Sequence, residues 1–391
     1  MRQNEYSKRP TRLRRFISDV AIAIGMSIAI IIVSEAFLRM FFPQNLVGTS
    51  IKGEQFSEMD EILGMRYVPG TRWYFTNPEY TVEYSINEYG FRDNKEHPVP
   101  KPEGTIRVLL VGDSFTFGQG VNYDQTWPVI VEKRLQESGN HHIDLVKAGI
   151  QGMDTRSEFI LIKRLLEKYE CDVVVVGFLI NDLYTNTLYG SDENEVKSIT
   201  NSSDGRILEK KKESADSWFK TAKQVFVRND RKSNFHLLTL ARRLAIANSK
   251  VYCNLYLAAS NRRQWLTIPL PPKPAKKLEI TKSLFEKIAA YCHSLGKKLI
   301  VLSIPQQFQV LYFDQSMKSQ DIDVRFYDRY FTKIAKQKNF DWITTLDAFI
   351  TSSYNKEELF YRLDGHLTLI GHQMVADVFL QEIVPMLDGT K

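Results

Sequence analysis

The sequence predicts an α/β fold, a parallel sheet of about five strands covered by helices on both faces. Three observations predict it. From Ile106 onward, short apolar runs alternate with stretches of helical periodicity. The runs are continuously apolar and rich in β-branched residues, as in "IRVLLV" and "DVVVVGF", which marks strands buried on both faces. The 391 residues are 43% hydrophobic and 25% charged, an ordinary balance for a chain with a sizeable core.

The chain opens on a basic segment, residues 1–15, with Arg2, Lys8, Arg9, Arg12, Arg14 and Arg15 against Glu5 alone. That segment carries +5 of the net +6, so the other 376 residues are close to neutral. Nucleic-acid binding therefore lacks its electrostatic motive, and the run "EKKKES" reads as a solvated charge cluster. Residues 16–42 follow, with an uncharged apolar run from Val20 to Ser34. Phe16–Ile17 and Ala36–Phe42 extend that run, and Glu35 and Arg39, one turn apart, can neutralise each other. Two readings compete: a single membrane anchor, and a signal peptide cut after "SEA" at Ala36. Apolar residues resume after Ala36 and continue to Pro43, which favours the anchor. Either reading leaves the N-terminal arginines in the cytoplasm and the rest outside it, in the periplasm or at the cell surface.

Residues 43–104 are rich in aromatics and turn formers and read as a small appendage, with a short strand at 82–86 and a Pro-rich connector. Strands are expected at 106–111, 143–147, 172–178, 298–304 and 341–346, and helices at 126–138, 154–168, 281–295, 325–338 and 371–386. These elements make one domain, 105–391. Residues 186–280 break the alternation: polar, then partly helical, then the Pro-rich "TIPLPPKPAKK". That is too long for a plain loop and reads as an inserted lid. Cys171, Cys253 and Cys292 show no CxxC spacing, so neither a disulfide framework nor a zinc site is expected. No His pair has HExxH or HxH spacing, and metal hydrolysis lacks its ligands.

In parallel α/β sheets, ligands bind beyond the carboxyl ends of the strands. The first strand delivers Gly112-Asp113-Ser114 there. The second delivers "KAGIQGMDT" with Gly149 and Gly152, the third Asn181 and Asp182, and the segment after the fifth Asp364 and His366. A nucleophile, oxyanion donors, a base and an adjacent acid share one edge, which are the parts of a serine acyl-transfer site. Each part alone has an ordinary reading: Ser114 as a turn residue, Gly152 as a tight turn, Asn181 as a cap, Asp364-Gly365 as a turn pair. Of seven histidines, only His366 and His372 follow the fifth strand, and His372 lies where it would pack or cap the last helix.

Four segments in order, "GDSFTFG", "GIQGMDT", "LIND" and "DGH", resemble the blocks of the SGNH/GDSL hydrolases. The similarity runs through about 106–185 and 281–385, and "YSINEYGFRD" resembles a segment upstream of the serine block in membrane-anchored bacterial members. The resemblance implies a three-layer α/β/α flavodoxin-like fold and an esterase without metal or cofactor. It makes Ser114 the nucleophile and His366 the base. The amides of Ser114 and Gly152 and the side chain of Asn181 become the oxyanion donors. Two departures stand out. Leu179 and Ile180 replace the glycine usual before the asparagine. Leu363 stands three before His366, where the family often has its acid, and Asp364 lies two before. Asp364 is thus either the triad acid or a turn residue, with a carbonyl orienting His366. The α/β-hydrolase fold is set aside, because Thr116 stands where G-x-S-x-G needs its last glycine.

The expected function is an extracytoplasmic, membrane-anchored serine esterase acting on O-acyl, above all O-acetyl, esters of envelope or exported glycans. Two alternatives stay open: a polysaccharide O-acetyltransferase fed by a membrane acyl-donor protein, and an inactive glycan-binding protein on the same fold.

Overall fold

The computed structural model describes residues 12–44, 50–60, 62–186, 235–258, 262–314, 319 and 321–387. The "EKKKES" run and the first part of the expected insertion lie outside the described residues. The chain forms two compact units, Met1–Val47 with Arg231–Ala245, and Gly48–Asp230 with Ile246–Lys391.

In the first unit, helix α1 spans Arg12–Phe41. Its stretch Phe16–Phe41 has 26 residues, a mean hydropathy of 2.5 and outward-facing apolar side chains, among them Ile24, Ile28, Ile31 and Val33. At 1.5 Å per residue it is about 39 Å long, enough to cross a hydrocarbon core of about 30 Å. By length and composition alone a signal sequence would pass the same test. Glu35, in the last two turns of this helix, is nearly buried and has three partners. It accepts from Arg39 Nε at 2.8 Å and from the backbone N–H groups of His236 and Leu237 at 3.0 and 2.8 Å. It therefore caps the helix His236–Ala247, whose first N–H groups have no intrahelical acceptor.

The second unit begins with five short strands: β1 (Ser50–Gly53), β2 (Ser57–Asp60), β3 (Gly64–Tyr67), β4 (Arg72–Thr76) and β5 (Thr81–Ser85). β1, β4 and β5 form an antiparallel sheet, and β2 and β3 a hairpin. β4 and β5 alternate exposed and buried positions, so Trp73, Phe75, Val82 and Tyr84 all face inward. Their side chains join Leu109, Val111 and Val176 of the main sheet in one core.

The main sheet has β6 (Ile106–Gly112), β7 (Ile143–Gly149), β8 (Val173–Phe178), β9 (Lys298–Ser303) and β10 (Asp341–Thr344), all parallel, in the order β10-β9-β8-β6-β7. After α1 the helices are, in chain order, α2 (Ser114–Phe117), α3 (Trp127–Glu137), α4 (Thr155–Leu165), α5 (Asp182–Thr185), α6 (the His236–Ala247 helix, in the first unit but for its last two residues), α7 (Ser249–Ala258), α8 (Pro272–Ser294), α9 (Gln307–Asp314), α10 (Phe326–Lys338), α11 (Leu346–Thr351) and α12 (Leu369–Val378). Successive strand residues feed opposite cores. Leu109 and Val111 pack with Ile160, Phe285 and Phe331, while Val108 and Leu110 pack with Trp127, Val131 and Val375. This is the expected three-layer sheet. β6 pairs with β7 on one side and β8 on the other, so the connections leave it in opposite directions and open a crevice at its carboxyl end.

Two helices depart from the sequence reading. α8 starts at Pro272, not near 281, because proline needs no N–H partner in a first helical turn; the Pro-rich stretch, expected within the insertion, opens this helix. The last helix, expected as one piece, widens into a π-turn at Phe379–Ile383 before a final turn, Val384–Leu387. Pro385, which has no N–H to return to the preceding turn, sits just past it.

Candidate active site

The carboxyl end of β6 is built on glycine. Gly112 is in register with Gly149 of β7 and Gly177 of β8, a row of three across adjacent strands. α2 lies on that row. A Cβ on Gly149 would stand 2.5 Å from Phe117 N and 2.7 Å from Thr116 C, and one on Gly112 or Gly177 would meet the Thr116 hydroxyl. Only glycines let the helix carrying Ser114 sit this low over the strands.

Asp113 caps α2 by accepting from Phe115 N at 2.9 Å. Gly118 closes it in the left-handed conformation at φ 82°, its N–H donating to Ser114 O. The buried Arg92 guanidinium holds the far side, donating to the carbonyls of Phe117, Gly118 and Val121 at 3.0, 2.8 and 2.8 Å. Ser114 is thus the first residue of a short helix capped at both ends.

Ser114 Oγ lies 2.8 Å from His366 Nε2, and His366 Nδ1 lies 2.6 Å from Asp364 Oδ2. With Nδ1–H donating to the carboxylate, Nε2 is the acceptor for the serine hydroxyl. Phe115 packs on the imidazole, ring centroids 5.0 Å apart. Burial opposes charge on His366, but the Asp364 carboxylate and its hydrogen bond outweigh it, so the imidazole is more basic than usual. Burial alone would raise Asp364. The charge of His366 and donors from His366, Tyr80 and Gln119 bring it below the ordinary carboxylate range. Asp364 thus meets the imidazole directly.

Gly152 follows β7 in the left-handed conformation, φ 78°. Asn181 follows β8, and its Nδ2 donates to Asp113 Oδ2 at 3.2 Å, which leaves the second N–H of the amide for another acceptor. All the residues named from the sequence, Ser114, Gly152, Asn181, Asp364 and His366, thus lie on the turns beyond β6, β7 and β8 and in the segment before α12. His372 does not join them. It accepts from Trp127 N at 3.2 Å, at the start of α3, and burial beside Arg92 and His366 pushes its basicity down to about 3. Asp182 is also apart from the serine chain. It is buried, and burial, then the charges of Glu158, Asp113 and Asp154, raise it well above the carboxylate range; burial, then Asp113 and Asp154, raise Glu158 in the same direction.

The structure adds residues that the sequence did not single out. Tyr80 Oη donates to Asp364 Oδ2 at 2.9 Å, and Glu79 Oε2 accepts from Leu363 N and Asp364 N at 2.9 and 2.8 Å. Gln119 donates to Tyr80 Oη at 3.3 Å and accepts from Gln151 Nε2 at 2.8 Å. Glu79 and Tyr80 lie 284 residues or more in sequence from Leu363 and Asp364, beyond the reach of any local spacing.

The sequence profile of the GDSL-like Lipase/Acylhydrolase family matches residues 110–374. Comparison with curated protein sequences gives no match. Among solved structures, the chain is similar to TesA at 13% identity and a TM-score of 0.41, covering 72% of this chain and 99% of that one. It is similar to the psychrotrophic esterase EstA from Pseudoalteromonas sp. at 10% identity and a TM-score of 0.39, covering 72% and 98%. It is likewise similar to the acetyl xylan esterase AlAXEase at 14% identity and a TM-score of 0.42, covering 71% and 100%. With the profile spanning more than half of its length, the chain belongs to the GDSL-like lipase/acylhydrolase family and is an ester-hydrolysing enzyme.

Proposed function

We propose that the protein is a membrane-anchored serine esterase, its catalytic domain outside the cytoplasm, that removes O-acyl groups, chiefly acetyl, from envelope or exported glycans. One observation carries the mechanism: the unbroken hydrogen-bond chain Asp364–His366–Ser114 at the end of β6. Ser114 Oγ attacks the ester carbonyl while His366 Nε2 takes its proton. The oxyanion is met by the N–H groups of Ser114 and Gly152 and by the second N–H of Asn181. His366 then protonates the departing sugar hydroxyl. Water, deprotonated by the same imidazole, releases the acid from acyl-Ser114. Asp364 holds the imidazole tautomer and stabilises the imidazolium. No step calls on a metal or cofactor. The glycan reading is supported by place: α1 and the basic segment before it fit an anchor with its arginines in the cytoplasm.

The test uses the full-length protein in detergent with a chromogenic acetyl ester, with and without acetylated glycans, followed by mass spectrometry. Acetate release that disappears in Ser114→Ala, and labelling of Ser114 by a fluorophosphonate, are expected. Activity surviving in that variant would overturn the mechanism. Acetylated glycan appearing in place of acetate would make the enzyme a transferase.

A further inference from the structure

We infer that Glu79 and Tyr80, at the tip of the β4–β5 hairpin, are positioning residues of the esterase site, holding the acid of the triad in place from outside the segment that matches the family. The inference rests on the esterase reading above and goes beyond it: residues 76–81 precede the family match at 110–374.

The hairpin tip is stiff before it meets the site. In "TNPEYT", Asn77 Oδ1 accepts from both Glu79 N and Tyr80 N at 2.9 Å, and Asn77 N donates to Tyr80 O at 2.9 Å. Pro78 fixes one more backbone angle in the turn. The two side chains so presented make different bonds to the same place. Glu79 binds the backbone of the acid turn through the N–H groups of Leu363 and Asp364, and so fixes where the turn sits. Tyr80 binds the acid's side chain at Oδ2, the oxygen that also meets His366, and so fixes which way the carboxylate faces.

A loop acid needs such a hold. Asp364 is followed by Gly365 at φ 83°, and its turn is otherwise pinned by two bonds between Tyr361 and the Gly365–His366 backbone and by Tyr361 Oη on Gly120 O. Tyr80 also joins this hold to the oxyanion turn. From Tyr80 Oη the bonds run to Gln119, then to Gln151, the residue before Gly152. Gln151 in turn is bound through both its side chain and its N–H to the hydroxyl of Tyr67 in β3, at 2.9 and 3.2 Å. Two tyrosines, Tyr67 at the end of β3 and Tyr80 in the β4–β5 turn, therefore brace the acid and the oxyanion turn.

The experiment measures kcat, KM, the pH profile and the rate of fluorophosphonate labelling for the full-length protein in detergent. Apart from Asp364 and Tyr80, the charged or titratable groups facing His366 and its acid are Asp113, Glu79, Tyr84, Tyr361 and His372. Tyr80→Phe removes one hydrogen bond to a carboxylate and keeps the ring. Its kcat should fall about tenfold with KM within about twofold. The acid limb of the profile should move up, because the carboxylate then shares its charge with one donor fewer. Glu79→Ala should lower kcat about 10²-fold, and Glu79→Gln, whose amide oxygen still accepts both N–H groups, should recover most of that loss. Wild-type kcat and an unmoved acid limb in Tyr80→Phe would overturn the inference. So would Glu79→Ala that melts earlier but keeps its kcat per folded molecule, or Glu79→Gln no better than Glu79→Ala. Failure of the underlying reading looks different: the wild-type protein itself would hydrolyse no ester and leave Ser114 unlabelled.

Discussion

At the scale of single residues, the chemistry turns on how Asp364 controls His366. The net effect of their contact is a more basic imidazole and a more acidic carboxyl. The base must be neutral to accept the serine proton, so kcat/KM falls as pH drops through the raised value. The acid limb of the wild-type profile should therefore have its midpoint above 6.5, the ordinary histidine value. Asp364→Asn suits the same backbone conformations but withdraws the charge. It should cut kcat by about 10⁴ and bring that midpoint down. A loss under about tenfold at unchanged Tm would assign Asp364 to the turn alone. Asn181 makes a smaller claim. Asn181→Ala deletes one proposed oxyanion donor and should lower kcat by about 10²–10³ with little change in KM. A rise in KM alone would make it a substrate contact. These residues were legible in the sequence because each sits just beyond an apolar strand or beside a turn pair, where pattern and chemistry coincide. Glu79 and Tyr80 were not: "NPEYT" reads as a turn, and only folding carries it to residue 364. Arg92 lay within a segment singled out for resemblance, but nothing there said that its guanidinium would collect three carbonyls below Ser114.

At the scale of elements, the five strands of the main sheet were legible because strands buried on both faces need continuous apolar runs, and "IRVLLV" and "DVVVVGF" leave no second reading of their period. The N-terminal strands were harder. They are four or five residues long and half exposed, and their alternation is diluted by turn residues, so only the 82–86 strand stood out. The glycine row was half legible: Gly112 and Gly149 were visible as turn formers, but their alignment with Gly177 is a fact of register. That row makes a prediction about α2 as a unit. Gly149→Ala sets a methyl against the backbone of Thr116 and Phe117, which has no flexible end to yield. The helix must rise, at about 1–3 kcal/mol for overpacking. Ser114 should leave its place beside His366, so fluorophosphonate labelling should slow together with the fall in Tm. Unchanged labelling at a lower Tm would mean that the sheet, not α2, gives way.

At the scale of the whole molecule, the question is whether the mature protein keeps its first helix. Length and hydropathy leave two answers, since a signal sequence is also apolar and N-terminal. Glu35 adds a physical argument for retention. A helix cut after Ala36 would take with it a carboxylate that accepts two backbone N–H groups from His236 and Leu237. The helix that they begin would then start uncapped, a loss of about 1 kcal/mol. An acid placed inside an apolar helix is costly in a bilayer unless something neutralises it, and here Arg39 and a helix N-terminus both do. The proposed anchor therefore makes a topological prediction. The full-length protein should stay with the membrane through salt and carbonate washes, and an alkaline phosphatase fused at the C-terminus should be active, which it is only outside the cytoplasm. N-terminal sequencing of the membrane-bound protein should read the basic segment. A mature N-terminus at Phe37 would replace the anchor with a cleaved leader. An inactive fusion in a washed, membrane-bound protein would turn the orientation round and remove the glycan substrates from reach of Ser114.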